Sequence, residues 1–337
     1  MKYIDMHCDT LSLYASKDKA DLFENTKSVD IKRLIKAGTS AQFFAIWMPD
    51  KETINKEVLK EAGECAAEEN FKWKDYSDEK YFNALYSGFR NCVKKHNNII
   101  SHAISYEEYL ENVHTGKISA FLTVEDGRIV EGELKRLDEL KEFGVSLVTL
   151  TWNYVNCFGS PNSFDKNIMN EGLTAFGKEA VAYMQDIGII VDVSHLSDGG
   201  FYDVADICKK TFVASHSNAR DLSPHPRNLT DDMIRTIGEK GGIIGLNFCP
   251  DFLNKDINNK NSTVERLCAH AMYMADKGGI DVVAIGSDLD GIEGDIEINS
   301  VDKMELLFDG LKRAGFKESE LDKIMHGNAE RILKNIL

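Results

Sequence analysis

Tyr3-Ile4-Asp5-Met6-His7-Cys8-Asp9 reads as a short buried strand that ends in an imidazole and a carboxylate. Side chains alternate along a strand, so His7 and Asp9 share one face and Cys8 takes the other. Two such groups side by side at the C-terminal end of a strand can share a divalent cation. A lone His-x-Asp is more often a hydrogen-bonded pair in a turn, so the metal reading depends on other strand ends supplying the missing ligands.

Further strand-like runs occur at 41–47, 118–124, 145–152, 189–195, 212–216, 242–248 and 282–288, which with the first makes eight. Helix-like segments at 174–186, 197–209, 231–239 and 264–277 separate most of the later ones. Continuous apolar strands alternating with helices mean a parallel sheet covered on its outer face, and eight of them predict an α/β fold of the (β/α)8 TIM-barrel type. A charged stretch over about 52–114 interrupts the pattern after strand two. Its apolar periodicity (Val58, Leu59, Ala62, then Phe82, Leu85, Phe89) predicts two amphipathic helices, and Ser105 with Glu108 predicts a capping box that opens a third. That stretch is read as a helical insertion in a single barrel domain spanning 1–337. The segment 301–337 predicts two extra C-terminal helices that close the outside.

Composition narrows the function classes. A chain of 337 residues with 43% apolar and 28% charged residues is ordinary for a globular protein. A formal net charge of -15 disfavours nucleic acid and anionic membrane surfaces as partners. The seven cysteines include no C-x-x-C pair and leave at least one unpaired, which fits a reduced compartment. With no leader read ahead of Tyr3 and no run long enough to span a bilayer, the expectation is a cytoplasmic protein.

In such a barrel the chemistry sits at the C-terminal ends of the strands. Strand one ends in His7 and Asp9, strand three in Glu125, strand five in His195, strand six in His216 and strand eight in Asp288. Six potential metal ligands therefore converge on one end of one barrel. The other histidines (His96, His102, His114, His225, His270, His326) are read as solvated surface residues on helices and loops.

Several of these stretches resemble a known family. Val191-Asp192-Val193-Ser194-His195, Ala214-Ser215-His216-Ser217-Asn218-Ala219 and Gly286-Ser287-Asp288-Leu289-Asp290-Gly291 are similar to the signatures of the membrane (renal-type) dipeptidases, peptidase family M19. So are Pro226-Arg227-Asn228-Leu229 and Gly327-Asn328-Ala329-Glu330-Arg331, and the resemblance runs nearly end to end. It implies a dipeptidase, a homodimer, and two Zn2+ per chain bridged by Glu125 and a water or hydroxide. His7 and Asp9 would hold one zinc and His195 and His216 the other. Asp288 would be the general acid/base, and Arg227 would bind the carboxylate of a dipeptide.

The chemistry of the residues agrees. Two metals bridged by one carboxylate can lower the pKa of a shared water and polarise a carbonyl. A nearby carboxylate can carry a proton to the departing amine. A guanidinium matches a free C-terminal carboxylate in shape and charge. One departure stands out: family members carry a substrate-contacting histidine after the fourth strand, whereas this chain reads Leu150-Thr151-Trp152-Asn153-Tyr154. Trp152 is read as a substrate-binding residue that can donate one hydrogen bond but neither accept one nor take a charge. The enzyme alternative is another amidohydrolase-like barrel acting on cyclic amides or on carboxylic or phosphate esters. Those usually show His-x-His on the first strand and often a modified lysine as bridge. The non-enzyme alternative is a metal-retaining barrel used for binding.

Overall fold

Along Thr39–Trp47 the residues Ala41 and Phe43 face one apolar cluster while Phe44 and Ile46 face another, as in a strand buried on both sides. The computed structural model describes residues 2–15, 21–50, 53, 77–256 and 258–337. Its strands are β1 (Tyr3–Asp5), β2 (Thr39–Trp47), β3 (Ile100–His102), β4 (Ile118–Glu125), β5 (Val145–Thr149), β6 (Ile190–Asp192), β7 (Val213–Ser217), β8 (Ile243–Leu246), β9 (Asn261–Ser262), β10 (Val283–Ile285) and β11 (Asp295–Ile296). Every neighbouring pair in the main sheet is parallel, and β2 pairs with β4 from Ala41↔Ser119 to Trp47↔Glu125. That pairing closes β1, β2, β4, β5, β6, β7, β8 and β10 into the expected eight-stranded barrel. β9 and β11 form a separate ribbon.

The barrel interior is filled by Ile4, Phe43, Phe121, Leu147, Ile190 and Ile243, among others. Ala329, Ile332 and Leu333 of the last helix, Asn328–Ile336, join the same cluster. Asn328 donates to the carbonyls of Ile280 (2.9 Å) and Val283 (2.8 Å), which ties that helix to the start of β10. The Gly327–Arg331 stretch is therefore a structural plug at the opposite end from the strand-end ligands. Outside the strands, helices such as Ala175–Ile187, Asp198–Ile207, Asp231–Glu239 and Val264–Gly278 cover the sheet, each opened by a Ser or Thr whose side chain accepts a first-turn N–H.

The stretch expected to be helical contains a strand. β3 pairs with Ile118–Ala120 of β4, on the edge that β5 takes over from Leu122 onward. The helices Asp78–Lys95 and Tyr106–Thr115 are present, whereas Val58, Leu59 and Ala62 lie outside the described residues. The capping box is half formed: Ser105 accepts from Glu108 N (3.2 Å), but Glu108 takes the N–H of Ile104 (2.8 Å) instead of that of Ser105. The C-terminal segment is broken further than two helices, into Glu305–Ala314, Glu318–Asp322, a π turn at Lys323–Gly327 and Asn328–Ile336. Among the described residues no helix is long and apolar enough to cross a membrane.

Candidate metal centre

Glu125 closes β4 on the same side as the interior residue Phe121, four places earlier, so its carboxylate enters the mouth of the barrel. Its two oxygens face different partners. Oε1 lies 3.0 Å from His195 Nε2 and 3.3 Å from His216 Nε2, and those two nitrogens are 3.1 Å apart. Oε2 lies 3.8 Å from His7 Nε2, which is 3.3 Å from Asp9 Oδ2 and 3.8 Å from Asp288 Oδ1. All six strand-end residues expected from the sequence are buried and in one place. His7 and Asp9 share the site face while Cys8 donates to Phe43 O (3.5 Å) on the other. The alternation extends past the end of β1 because Cys8 bridges to Leu289.

The ladders end earlier than the apolar runs suggest, and the ligands sit just beyond. His195 follows β6 with φ 67° and Asp288 follows β10 with φ 62°, both in the left-handed region that non-glycine residues enter at a cost. Gly291 lies against the same pair of carboxylates: a Cβ there would stand 2.1 Å from Asp9 Oδ2 and 2.8 Å from Asp288 Oδ1. Only a glycine lets the chain pass so close.

The donor set fits divalent cations. His7 Nδ1 and Nε2 and Asp9 Oδ1 are buried without a hydrogen-bond partner, a costly state unless something else satisfies them. Asn153 Oδ1 accepts from His195 Nδ1 (3.2 Å), which leaves a lone pair on Nε2 pointed at Glu125 Oε1. Converging lone pairs and carboxylates of this kind suit a divalent cation held between them. Two groups of ligand atoms, from His7, Glu125 and His216 and from His7, Asp9 and Asp288, each gather within 4.8 Å. A third group, Asp21, Cys92 and His96, lies away from the barrel mouth. There Asp21 is already satisfied by Phe23 N (2.9 Å), Cys92 Sγ (3.4 Å) and Lys95 Nζ (3.2 Å).

The electrostatics divide the site. Burial pulls the His7 pKa down, but Asp9, Glu125 and Asp288 outweigh it and raise it to about 10. Burial, together with Arg227 and neighbouring histidines, holds His195 and His216 well below the usual imidazole range. Burial and Asp9 push Glu125 well up, against the pull of His7. Asp288 is raised to about 7, by burial first and then Asp9, against the pull of His7, the Asn247 hydrogen bond (2.9 Å) and Arg227.

The sequence matches the membrane dipeptidase family, peptidase family M19, over residues 1–337. The chain belongs to that family. As an M19 chain it is a metallo-dipeptidase-type hydrolase, acting on peptide bonds. It is 26% identical over 327 residues to dipeptidase tcpJ of Claviceps purpurea, covering 94% of this chain and 72% of that one. A Klebsiella pneumoniae protein in the pqqA 5′ region is 34% identical over 235 residues, 67% of this chain and 86% of that protein. The fold matches a Rhodobacter sphaeroides metallopeptidase, solved with a phosphinate mimic of the dipeptide L-Ala-D-Ala, at a TM-score of 0.85 and 24% identity, covering 100% of this chain and 99% of that one.

Two further expected residues of this M19 barrel are near the ligands. Arg227 is only 4% exposed, which removes the ordinary surface reading of an arginine after a proline. It donates to Ser217 Oγ and His216 O, both at 2.8 Å, lies over the Phe252 ring, and keeps Nε without a partner. Trp152 stands edge-on to Trp47 (centroids 5.0 Å) and Tyr154 (5.4 Å), with His195 at 6.3 Å. Trp47, opposite Glu125 in the β2–β4 register, was legible only as the end of an apolar strand. Asn247 was equally hidden in a strand-like run.

The surface reading of the remaining histidines holds for His114, which is exposed, and fails elsewhere. His270 is fully buried on Val264–Gly278, accepting from Ala219 N (3.2 Å) and donating to Leu253 O (3.1 Å). Burial first lowers its pKa to about 4. His102 contacts Gly144 O (3.1 Å), His96 stacks on Phe23 (4.2 Å), His225 packs between Phe164 and Phe252, and His326 lies 3.4 Å from Glu330 Oε1.

Proposed function

We propose that this chain is a binuclear zinc dipeptidase that splits dipeptides into free amino acids. The observation that carries the reading is the division of Glu125: one oxygen faces His195 and His216, the other faces His7. In this reading His7 and Asp9 hold one ion, His195 and His216 the second, and Glu125 both. Bound there, two zinc ions would supply a water nucleophile active near neutral pH and a Lewis acid for the scissile carbonyl.

The chain's own residues do the rest. Arg227, held by Ser217 and the His216 carbonyl, presents its free Nε edge to the C-terminal carboxylate of the substrate. Asn247 occupies Asp288 Oδ2 and leaves Oδ1 toward the ligands. A carboxyl raised to about 7 is suited to hold a proton at neutral pH and pass it to the departing amine. Trp152 and Trp47 wall one side of the site beside His195 and limit the side chains that fit there. The M19 resemblance supports a homodimer, and the absence of a C-x-x-C pair among seven cysteines fits a cytoplasmic location. The strand–helix pattern fits one hydrolase domain over 1–337 with 52–114 inserted. Sedimentation of the purified chain tests the dimer.

The decisive experiment joins metal analysis of protein purified without chelators to amino-acid release from a dipeptide panel that includes C-terminal D-residues. Two zinc ions per chain and release from free dipeptides are expected. One tightly held ion in an active enzyme overturns the binuclear reading.

A further inference from the structure

We infer that Asp192 and Ser215 are positioning residues that set the tautomer of His216, so that its Nε2 rather than its Nδ1 is open to a metal. Asp192 ends β6 on the interior face and is fully buried. Its Oδ1 accepts two backbone donors, Ser194 N (3.0 Å) and Ser215 N (2.8 Å). Its Oδ2 accepts two hydroxyls, Thr149 Oγ1 (2.6 Å) and Ser215 Oγ (2.5 Å). A serine hydroxyl has one proton, and the carboxylate takes it. The 2.7 Å contact between Ser215 Oγ and His216 Nδ1 must then be made with a proton from the ring. Nδ1 carries that proton, and Nε2 keeps a lone pair facing Glu125 Oε1 at 3.3 Å. Ser194 Oγ, which accepts from His216 N (3.1 Å), leaves its own hydroxyl proton for Ser215 Oγ (3.4 Å), so the network closes without conflict.

The same clamp occurs a second time without the imidazole. Asp5 on β1 accepts from His7 N (3.2 Å), Ser287 N (2.9 Å) and Ser287 Oγ (2.6 Å). Each buried aspartate thus grips the residue two places along its own chain and the serine that precedes a site residue on the neighbouring strand. After Ser287 comes Asp288, which has no tautomer to set. The Asp5 clamp fixes backbone alone, and the Asp192 clamp fixes backbone and a proton. That pair is a built-in control.

Asp192→Asn separates the two functions. The fixed N–H groups of Ser194 and Ser215 hold the amide oxygen, so the amide nitrogen faces the rotatable hydroxyls and donates to Ser215 Oγ. The Ser215 proton then turns to His216 Nδ1, and the ring proton moves to Nε2. Imidazole 15N NMR of the full-length chain after chelator treatment should show His216 protonated at Nδ1 in wild type and at Nε2 in Asp192→Asn. Zinc affinity on the His195–His216 side should fall by about 10–100-fold in Asp192→Asn and in Ser215→Ala, the usual size of an outer-ligand effect. Asp5 sets no tautomer, so Asp5→Asn should lower that affinity by less than Asp192→Asn does and should leave His216 protonated at Nδ1. The affinity arm rests on His216 being a zinc ligand, whereas the NMR arm does not, so the two readings fail separately. An Nε2–H tautomer in wild type overturns the inference even if Asp192→Asn does not fold. So does wild-type zinc affinity in Ser215→Ala.

Discussion

His7 and His216 stack ring on ring, 3.8 Å apart, yet one favours the protonated cation and the other the neutral ring. Both are fully buried, and burial alone would lower both pKa values. His7 looks out on Asp9, Glu125 and Asp288 and is raised to about 10, whereas His216, facing His7 itself, Arg227 and His195, is lowered well below its usual value. One end of the site is a carboxylate cage that holds a proton when no metal is there. The other is a pair of neutral imidazoles. The lesson is that one carboxylate, Glu125, joins two electrostatically different places, and each prediction below tests that division.

The largest effect should come from the shared residue. Glu125→Gln removes the carboxylate that faces both ends, so metal content should fall from the two ions proposed above toward none and dipeptide hydrolysis should be lost. Retention of either ion at full affinity would mean that the two ends do not depend on one bridge.

Asp288 belongs to the carboxylate end but is free of the imidazole pair. Asp288→Asn should lower kcat by roughly 10²–10⁴ with metal content and fold unchanged, the usual worth of a positioned acid/base. Loss of an ion, measured by metal analysis of the same variant, would instead make Asp288 a ligand. Arg227 belongs to the imidazole end, where it donates to the His216 carbonyl. Arg227→Ala should cost dipeptides about 2–5 kcal/mol in kcat/KM, as expected for an unpaired buried carboxylate. C-terminally amidated analogues should lose far less, and equal losses on both would remove Arg227 from carboxylate binding.

The pH dependence of metal loading should differ between the ends. The His7 pKa is raised, so a proton sits on it in the metal-free chain below about pH 10 and must leave when a metal enters. Zinc affinity at that end should rise about tenfold per pH unit between roughly pH 6 and 9. His195 and His216 are depressed and already neutral there, so they release nothing. Glu125, also raised and common to both ends, adds its own release to each. Chelator competition on His216→Ala, which keeps the carboxylate end, should therefore show a slope steeper by the His7 proton than that on His7→Ala. Equal slopes would erase the distinction.

Much of this was readable from residues alone. The eight apolar runs specified the barrel, because parallel strands buried on both faces leave few polar positions, and those that remain at their ends stand out. Glu125 and the His7–Asp9 pair followed from that rule. What stayed hidden has local causes. His195 and Asp288 were legible as strand-end residues, but their turn into the left-handed region, which no adjacent glycine marks, was not. Ile100–His102 is too short to show a period, and only the free edge of β4 makes it a strand. His270 had a signal that went unused: it shares a helix face with Leu267, Ala271 and Met274, the spacing of a core residue.

The smallest expected effect concerns Trp152, which stands at the imidazole end, at the position where the family resemblance implied a histidine. Its ring meets Trp47 at 70° and Tyr154 at 61°, and its centroid is 6.3 Å from that of His195. In the proposed reading an indole so placed narrows the site, and transition-state charge would fall to the metals. Trp152→Phe keeps most of the bulk and deletes only the N–H, so kcat/KM should fall by less than about tenfold, or roughly 1.4 kcal/mol. Trp152→Ala opens the space beside His195 and should change which substrate side chains are accepted. If the ring serves packing alone, the Ala variant should instead lose stability with its substrate preference unchanged, which a melting curve and a dipeptide panel separate. A loss of about 10³ or more in Trp152→Phe, with both metals retained, is the size expected for deleting an oxyanion donor. That result would make the indole N–H the replacement for the histidine, and the imidazole end would then stabilise charge with its wall as well as with its metal.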